Sequence, residues 1–228
     1  MPYKFLLFLS ILILGALPAE VWADSDSDVP QTTIEGLKLV ENPKQMAYVW
    51  AQPGADLSQY ERVYIAEPLV AFKKNWQRDQ NRGHIKVRSS DMERIKNNVA
   101  GLFIEVFTEE LGKGGYTLAN ERAEDVLLVR PAIIDLDVTA PDVRSTARSQ
   151  SFATSAGSMT LYVELIDSET GDMLAKALDR RADRDTGTLQ WQTGPANRAA
   201  ALRIIRPWAE ALREALDEAR ELTRGEQD

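Results

Sequence analysis

The spacing of apolar residues along the chain predicts two long helices. Within residues 89–112, apolar side chains recur every three or four positions and so share one face of an α-helix: Met92, Ile95, Val99, Leu102, Phe103 and Val106. Ser90 and Glu93 form a capping box at the start of this helix. Residues 195–222 show the same spacing, and Pro207 is expected to kink or split this second helix because it lacks a backbone N–H.

Other segments alternate apolar and polar residues, which is typical of β-strands. Strands are predicted at residues 62–68, 116–118 and 125–139. Residues 158–179 predict a β-hairpin, because turn-forming residues from Asp167 to Gly171 separate its two apolar runs. The order β-α-β-β-β-β-α predicts an α+β fold, with a single mixed or antiparallel sheet of about five strands packed against two long helices.

The first 23 residues have the three-part form of a secretory signal peptide. Lys4 supplies the positive start, an apolar run extends from Phe5 to Leu17, and cleavage is predicted after Ala23. The apolar run is shorter than the ~20 residues that a membrane-spanning helix needs. We therefore expect a periplasmic or secreted protein with no integral membrane span after cleavage. An uncleaved N-terminal anchor is the alternative.

The rest of the chain predicts one domain with short flanking segments. Residues 24–55 contain scattered Pro and Gly residues and are expected to form an extended N-terminal segment with little regular structure. Residues 56–222 contain every predicted helix and strand and form a single α/β domain. Residues 223–228 form a polar tail. A mature chain of about 200 residues is long enough for one domain with a sizeable core.

Composition excludes several classes of chemistry. The chain has no Cys and a single His, and its 27 Lys and Arg residues face 35 Asp and Glu residues, a net charge of −8. Disulfides, thiolate metal sites, Cys nucleophiles and acylated Cys anchors all require cysteine, so they are excluded. One His cannot form a two-His metal motif. The acidic balance argues against a nucleic-acid-binding protein, and no cofactor is expected.

Three motifs follow one another along residues 50–220. They are Gly54 to Ile65 followed by Pro68; Leu161 to Asp167 with the turn Ser168 to Gly171 and Leu174; and Asp179 to Arg181, with Trp191 and Trp208 further on. In this order and spacing they resemble domain-of-unknown-function family 3313, a set of bacterial exported proteins and lipoproteins. The resemblance implies an envelope location and an α/β domain. It implies no reaction, and this chain departs from the lipid-anchored members because it lacks the anchoring cysteine.

The most distinctive local feature is the stretch from Lys73 to Arg88, which we call the basic segment. It contains six Lys or Arg residues and only one acidic residue, Asp79, within a chain of net negative charge. Such a patch is typical of surfaces that bind phosphates, carboxylates or acidic proteins. The candidate binding residues are Lys73, Lys74, Trp76, Arg78, Arg82, Lys86 and Arg88, with Trp191 as a further aromatic anchor. The alternative is a solvated loop whose cations pair with the chain's own acids.

Two carboxylates give a weaker indication of chemistry. Asp135 and Asp137 point to the same side if their segment is a regular strand, and such a pair is able to hold a hard cation or divide acid and base roles. Glu164 and Asp167 are candidates to join them, and His84 is a candidate general base. An exposed polar strand face is the simpler interpretation. No catalytic or metal-binding residue is therefore assigned.

These patterns favour an exported, non-enzymatic envelope protein that binds another envelope protein, an anionic lipid or a cell-wall component through the basic segment. A metal-dependent or acid/base hydrolase built on Asp135 and Asp137 is the first alternative. A small-ligand carrier is the second, and it requires an apolar cavity of several hundred Å³, of which the sequence shows no sign. Oligomeric state is not indicated.

Overall fold

A mixed β-sheet with two long helices packed on one face forms the framework of the protein. The computed structural model describes residues 29–82, 86–139, 151–153, 157–183, 190–192 and 194–225. The predicted signal peptide and His84 lie outside these residues, as do residues 226–228 of the predicted polar tail.

The secondary-structure elements are numbered here in chain order. The strands are β1 (Lys38–Leu39), β2 (Tyr48–Ala51), β3 (Arg62–Ile65), β4 (Leu69–Phe72), β5 (Thr117–Leu118), β6 (Val126–Val138), β7 (Ser151–Ala153), β8 (Gly157–Asp167), β9 (Met173–Ala182) and β10 (Gln190–Gln192). The helices are α1 (Trp76–Gln80), α2 (Ser89–Lys113) and α3 (Gly194–Gly225).

Eight strands form the main sheet, in the order β1-β2-β9-β8-β6-β3-β5, with β4 paired to β6 beyond the end of β3. The pairs formed by β3 with β5 and β6, and by β4 with β6, are parallel. All other pairs in this sheet are antiparallel. β7 and β10 pair with each other in a separate two-stranded ladder.

The core lies between one face of the sheet and helices α2 and α3. Side chains alternate along a strand, so every second residue of β8 faces the helices: Met159, Leu161, Val163 and Leu165. From the helices, Phe103 and Phe107 of α2 stack on each other with ring centroids 3.9 Å apart, and Trp208 of α3 is fully buried. The predicted amphipathic helices therefore bury their apolar stripes against the sheet, as expected.

The predicted α+β class with a mixed sheet is confirmed, but the predicted counts are wrong. In the described part of the chain, the main sheet has eight strands rather than about five, and a third, five-residue helix, α1, accompanies the two long ones. The additional elements are short, so their residues show no usable periodicity. β1 and β2 fall in the segment expected to lack regular structure, and Pro207 lies inside a continuous α3 rather than splitting it.

Strand β6 tolerates a proline in its middle because its neighbour on one side is interrupted. β3 ends at Ile65, opposite Val129, and β4 begins at Leu69, opposite Ala132. Pro131 lies between these two pairings, so its missing N–H removes no bond from the ladder. β3 and β4 thus act as two successive partners of one long strand, and β4 leads directly into the basic segment.

Candidate functional site

The basic segment is fastened to the end of β6 through Trp76. The Trp76 ring stacks on Phe72 at 4.2 Å between centroids, and its indole N–H donates to the carbonyl of Val138 at 3.1 Å. Its side chain is buried, with 4% exposure. The indole of Trp76 therefore packs inward and its only donor is satisfied by the sheet, and its predicted part in binding stays a prediction.

Hydrogen bonds connect the two described parts of the basic segment, residues 73–82 and 86–88. The backbone N–H of Val87 donates to the Asn81 side-chain oxygen at 2.7 Å, and the Asn81 amide donates back to the Val87 carbonyl at 3.2 Å. The Gln77 side chain donates to the same carbonyl at 3.1 Å. These hydrogen bonds hold Val87 next to helix α1.

The cations of the basic segment point outward. The side chains of Arg78 and Arg82 are 62% and 72% exposed, and both lie near the carboxylate of Asp79, at 3.4 and 3.6 Å. Lys73 contacts Asp137 of β6 at 3.1 Å. Ion pairs this exposed contribute little to stability, so these cations are not required to hold the fold together.

Lys74, Lys86 and Arg88 are exposed as well. Among the residues that the structure describes, none of the three forms an ion pair; the Lys86 ammonium donates to the Asn81 carbonyl at 2.8 Å. Among the described residues, Asp79 and Asp137 form ion pairs with three of the six cations, and the Asp91 carboxylate adds a further electrostatic attraction for Arg88. The basic segment therefore presents more exposed positive charge than these carboxylates neutralise.

Helix α2 begins where the basic segment ends. The carboxylate of Asp91 accepts the backbone N–H of Arg88 at 3.1 Å and pairs with Arg94 at 3.2 Å. Burial acts to raise the pKa of Asp91, but these hydrogen bonds outweigh it, so the pKa lies below its ordinary value. The contact that was predicted for Glu93 is made by Asp91 instead, because the helix starts at Ser89.

The predicted acidic pair on β6 lies at an irregularity of the strand. The pairing with β8 shifts between Ile134 and Asp137, and Asp135 has a left-handed backbone, with φ of 50°. This β-bulge interrupts the regular alternation on which the prediction of a shared face relied. Asp137 pairs with Lys73. Within the described part of the chain, no group of three or more His, Cys, Asp or Glu residues is arranged to hold a metal ion.

The two other acids proposed to join this pair have structural partners elsewhere on the sheet. Glu164 lies opposite Arg130, which it binds at 2.5 Å, and accepts the Tyr162 hydroxyl at 2.6 Å. Asp167 accepts the Tyr60 hydroxyl at 2.7 Å. The four acids are therefore distributed along the sheet. The position of His84 relative to them lies outside the described residues.

Trp191 is in β10, opposite Phe152 of β7 in the two-stranded ladder. Its side chain is outside the described part of the structure, and none of the described contacts connects it with the basic segment. Its role as an aromatic anchor therefore stays a prediction.

A cavity that the sequence did not predict adjoins the basic segment. This cavity of about 380 Å³ lies between α2, α3 and the end of β6, and Asp137 belongs both to its wall and to the ion pair with Lys73. Arg94 and Asn98 of α2 contribute polar groups to it. These two residues lie four positions apart, so they occupy the same face of α2.

The sequence matches the model of a known protein family. The family is described as a protein of unknown function, DUF3313, and the match covers residues 32–212. No curated protein sequence matches the chain significantly.

Several solved bacterial structures resemble the fold at low sequence identity. The PelC dodecamer from Paraburkholderia phytofirmans has a TM-score of 0.36 and 13% identity, covering 72% of this chain and 96% of its own. A putative neuraminyllactose-binding hemagglutinin homolog from Helicobacter pylori has a TM-score of 0.37 and 12% identity, covering 75% and 92%. A minor lipoprotein from Acinetobacter baumannii has a TM-score of 0.33 and 10% identity, covering 71% and 95%. At these scores the likeness carries no information about ligand or partner.

Hydropathy adds one further observation. None of the helices in the described ranges combines the length and the apolar character that crossing a membrane requires.

Proposed function

This chain belongs to the DUF3313 family, whose function is unknown. From that premise we propose that it is an exported, non-enzymatic protein. We propose further that it binds an anionic component of the bacterial cell envelope through the basic segment. The observation that carries the proposal is the excess of exposed cations on this segment, where Asp79 and Asp137 are the carboxylates that pair with them. Anionic groups on a partner are able to supply the missing countercharges.

The contacts that anchor the described parts of the basic segment support this proposal. Trp76 is buried against the sheet, and hydrogen bonds join Asn81 to Val87. Residues that the fold already holds in place lose little conformational entropy on binding, so more of the interaction energy contributes to affinity.

The distribution of charge over the chain supports it as well. The protein carries a net charge of −8, so an anionic surface is repelled by most of the molecule and attracted by the basic segment. Opposing charges of this kind orient a partner during its approach and raise the association rate.

The test is capture of envelope components by the protein carrying Lys74→Glu, Arg78→Glu and Arg82→Glu. Tagged protein is crosslinked in envelope fractions, and binding to vesicles of anionic or zwitterionic lipid is measured alongside. We expect capture to fall by at least about tenfold, because several charge-assisted contacts become repulsive.

The matched control carries Lys38→Glu, Arg122→Glu and Arg180→Glu, three exposed cations outside the basic segment. The control variant and the basic-segment variant undergo the same change in net charge. If capture depends only on the net charge of the protein, it therefore falls equally in both variants. Equal capture by the unmodified chain and the basic-segment variant contradicts the proposal. Binding to anionic vesicles identifies the partner as lipid, whereas a crosslinked protein band identifies a protein.

A further inference from the structure

A second cavity lies between the inner face of the sheet and helix α3, away from the basic segment. Its volume is about 380 Å³, within the range of ~300–1,000 Å³ typical of small-molecule sites. Most of its wall is apolar: Leu161 and Val163 of β8, Ala177 of β9, and Trp208, Ala211 and Leu212 of α3. An apolar wall of this kind favours a ligand with a hydrocarbon portion.

Small side chains create the space. Ala175 and Ala177 line the cavity from the strand side, and Ala211 and Ala215 line it from the helix. Protein interiors are normally packed to the density of organic crystals, and larger residues at these four positions are needed to fill the gap. The cavity is therefore a consequence of residue choice on two separate elements.

A short stretch of chain, residues 40–46, borders the cavity between β1 and β2, and we call it the strap. Lys44 forms an ion pair with Glu218 of α3, and the Gln45 side-chain amide donates to Glu214 at 2.7 Å. Asn42 also lines the cavity, and its backbone is left-handed, with φ of 49°. The strap is thus joined to α3 by polar side-chain contacts, and water molecules are able to take the place of either partner in these contacts.

The charges around the cavity select among ligands. The acids Glu214 and Glu218 line it together with a single strap cation, Lys44. The other cation of the lining, Lys176, is paired with Glu35 at 2.5 Å. Both lysines of the lining are already paired, so a carboxylate or phosphate head placed here has to displace an existing ion pair to gain a countercharge. An anionic head is therefore disfavoured relative to an uncharged one, because its desolvation is not compensated.

We propose that this cavity binds a single-chain amphiphile with an uncharged polar head, whose hydrocarbon chain lies between the sheet and α3. The site shares no residue with Lys73–Arg88, so the proposal goes beyond the basic-segment function and does not depend on it. The proposal agrees with the second alternative drawn from the sequence, a small-ligand carrier, because a carrier requires an apolar cavity of this size.

The experiment titrates the purified protein with Nile red, an uncharged fluorophore, and displaces it with monolaurin or laurate. These competitors share one acyl chain and differ in the charge of the head. We expect saturable binding of one Nile red molecule per chain and displacement by monolaurin at a concentration at least about tenfold below that of laurate. Equal displacement by the two competitors overturns the assignment of an uncharged head.

Filling the cavity tests its location. Ala211→Phe places an aromatic ring between helix and sheet, and we expect Nile red affinity to fall about tenfold or more while Tm does not fall. Ala199→Phe makes the same change at an exposed position of α3 and is expected to bind like the unmodified chain. If Ala211→Phe does not fold, Ala177→Val narrows the cavity from the strand side and is expected to weaken binding too.

Unchanged affinity in a folded cavity-filling variant overturns the proposal. One Nile red molecule per two chains overturns it as well, because the site is then an interface between copies. The variant with Lys74→Glu, Arg78→Glu and Arg82→Glu is expected to bind Nile red normally, so a failure of the basic-segment function is distinguishable from a failure of this one.

Discussion

At the scale of single residues, Asp179 connects three parts of the molecule. Its buried carboxylate accepts the backbone N–H of Ala47 at 3.0 Å, the guanidinium of Arg181 at 2.7 Å and the indole N–H of Trp208 at 2.6 Å. These donors belong to the residue that follows the strap, to β9 and to α3. A carboxylate shared by three donors fixes their relative positions more firmly than separate pairs do.

Replacing this carboxylate is expected to destabilise the fold. Asp179→Ala leaves the Ala47 and Trp208 N–H groups without their acceptor, which costs about 3 kcal/mol in the free energy of unfolding. Asp179→Asn retains one acceptor oxygen and is expected to cost less. Urea denaturation measures both, with the exposed Glu124→Ala as control. A midpoint for Asp179→Ala equal to that of the control contradicts the role of Asp179 as a connecting residue.

At the scale of elements, the pairing of β6 with β8 depends on a glycine. Gly157 begins β8 opposite Val138, just beyond the bulge at Asp135, and has φ of 142°. A Cβ atom built at Gly157 lies 1.9 Å from the carbonyl oxygen of Asp137, far inside van der Waals contact. The close approach of the two backbones at this end of the sheet therefore requires glycine.

Gly157→Ala is consequently expected to reduce stability by about 3 kcal/mol, from backbone strain and from displacement of β6. The control is Gly101→Ala in helix α2, where a Cβ atom meets nothing within 4 Å. There alanine is expected to stabilise the protein by about 0.5–1 kcal/mol, because glycine is the poorer helix former. Thermal unfolding of both variants checks the contrast. Similar Tm values for the two variants contradict the close approach of β6 and β8.

At the scale of the whole molecule, ionisable groups limit the pH range of stability on both sides. Burial acts to raise the pKa of Asp91 and of Asp167, but hydrogen bonds to these carboxylates outweigh it and hold each pKa below the ordinary value of 3.8. A carboxylate with a lowered folded-state pKa stabilises the fold above its unfolded pKa, and this contribution disappears as pH falls through the folded value. We therefore expect the free energy of unfolding to decline from about pH 5 downward.

Tyrosines set the alkaline limit. Burial raises the pKa of Tyr116 to about 12, with Arg220 opposing and the hydrogen bond to Asp217 adding to the increase. Burial also raises the pKa of Tyr60 and of Tyr162. A tyrosine with a raised pKa stabilises the fold below its ordinary value of 10.0, and this contribution is lost as pH rises through the folded value.

Urea denaturation between pH 3 and pH 12 tests both limits. Stability is expected to be highest between about pH 5 and 10 and to decline on either side. Tyr116→Phe is expected to lower the maximum by about 1 kcal/mol and to make the alkaline decline shallower, because one ionising group is gone. A free energy of unfolding that stays constant from pH 10 to 12 contradicts the tyrosine assignment.

Local patterns of the sequence determined the longest elements of this protein. The helix predicted over residues 89–112 is found at Ser89–Lys113, and the predicted hairpin turn has Gly171 in a left-handed conformation, with φ of 81°. The outward-pointing cations of the basic segment also follow from its composition. Helix periodicity, turn chemistry and local charge depend on residues a few positions apart, so the sequence contains this information directly.

Tertiary contacts alone decided the remaining features. β2 is a strand because it pairs with β9, far along the chain, and Trp76 is buried because Phe72 and the Val138 carbonyl lie where its ring packs. The cavity beside Ala177 and Ala211 likewise needs two distant elements to lie face to face. Burial, partner strands and cavities depend on which remote segments meet, and no periodicity within a single segment contains that information.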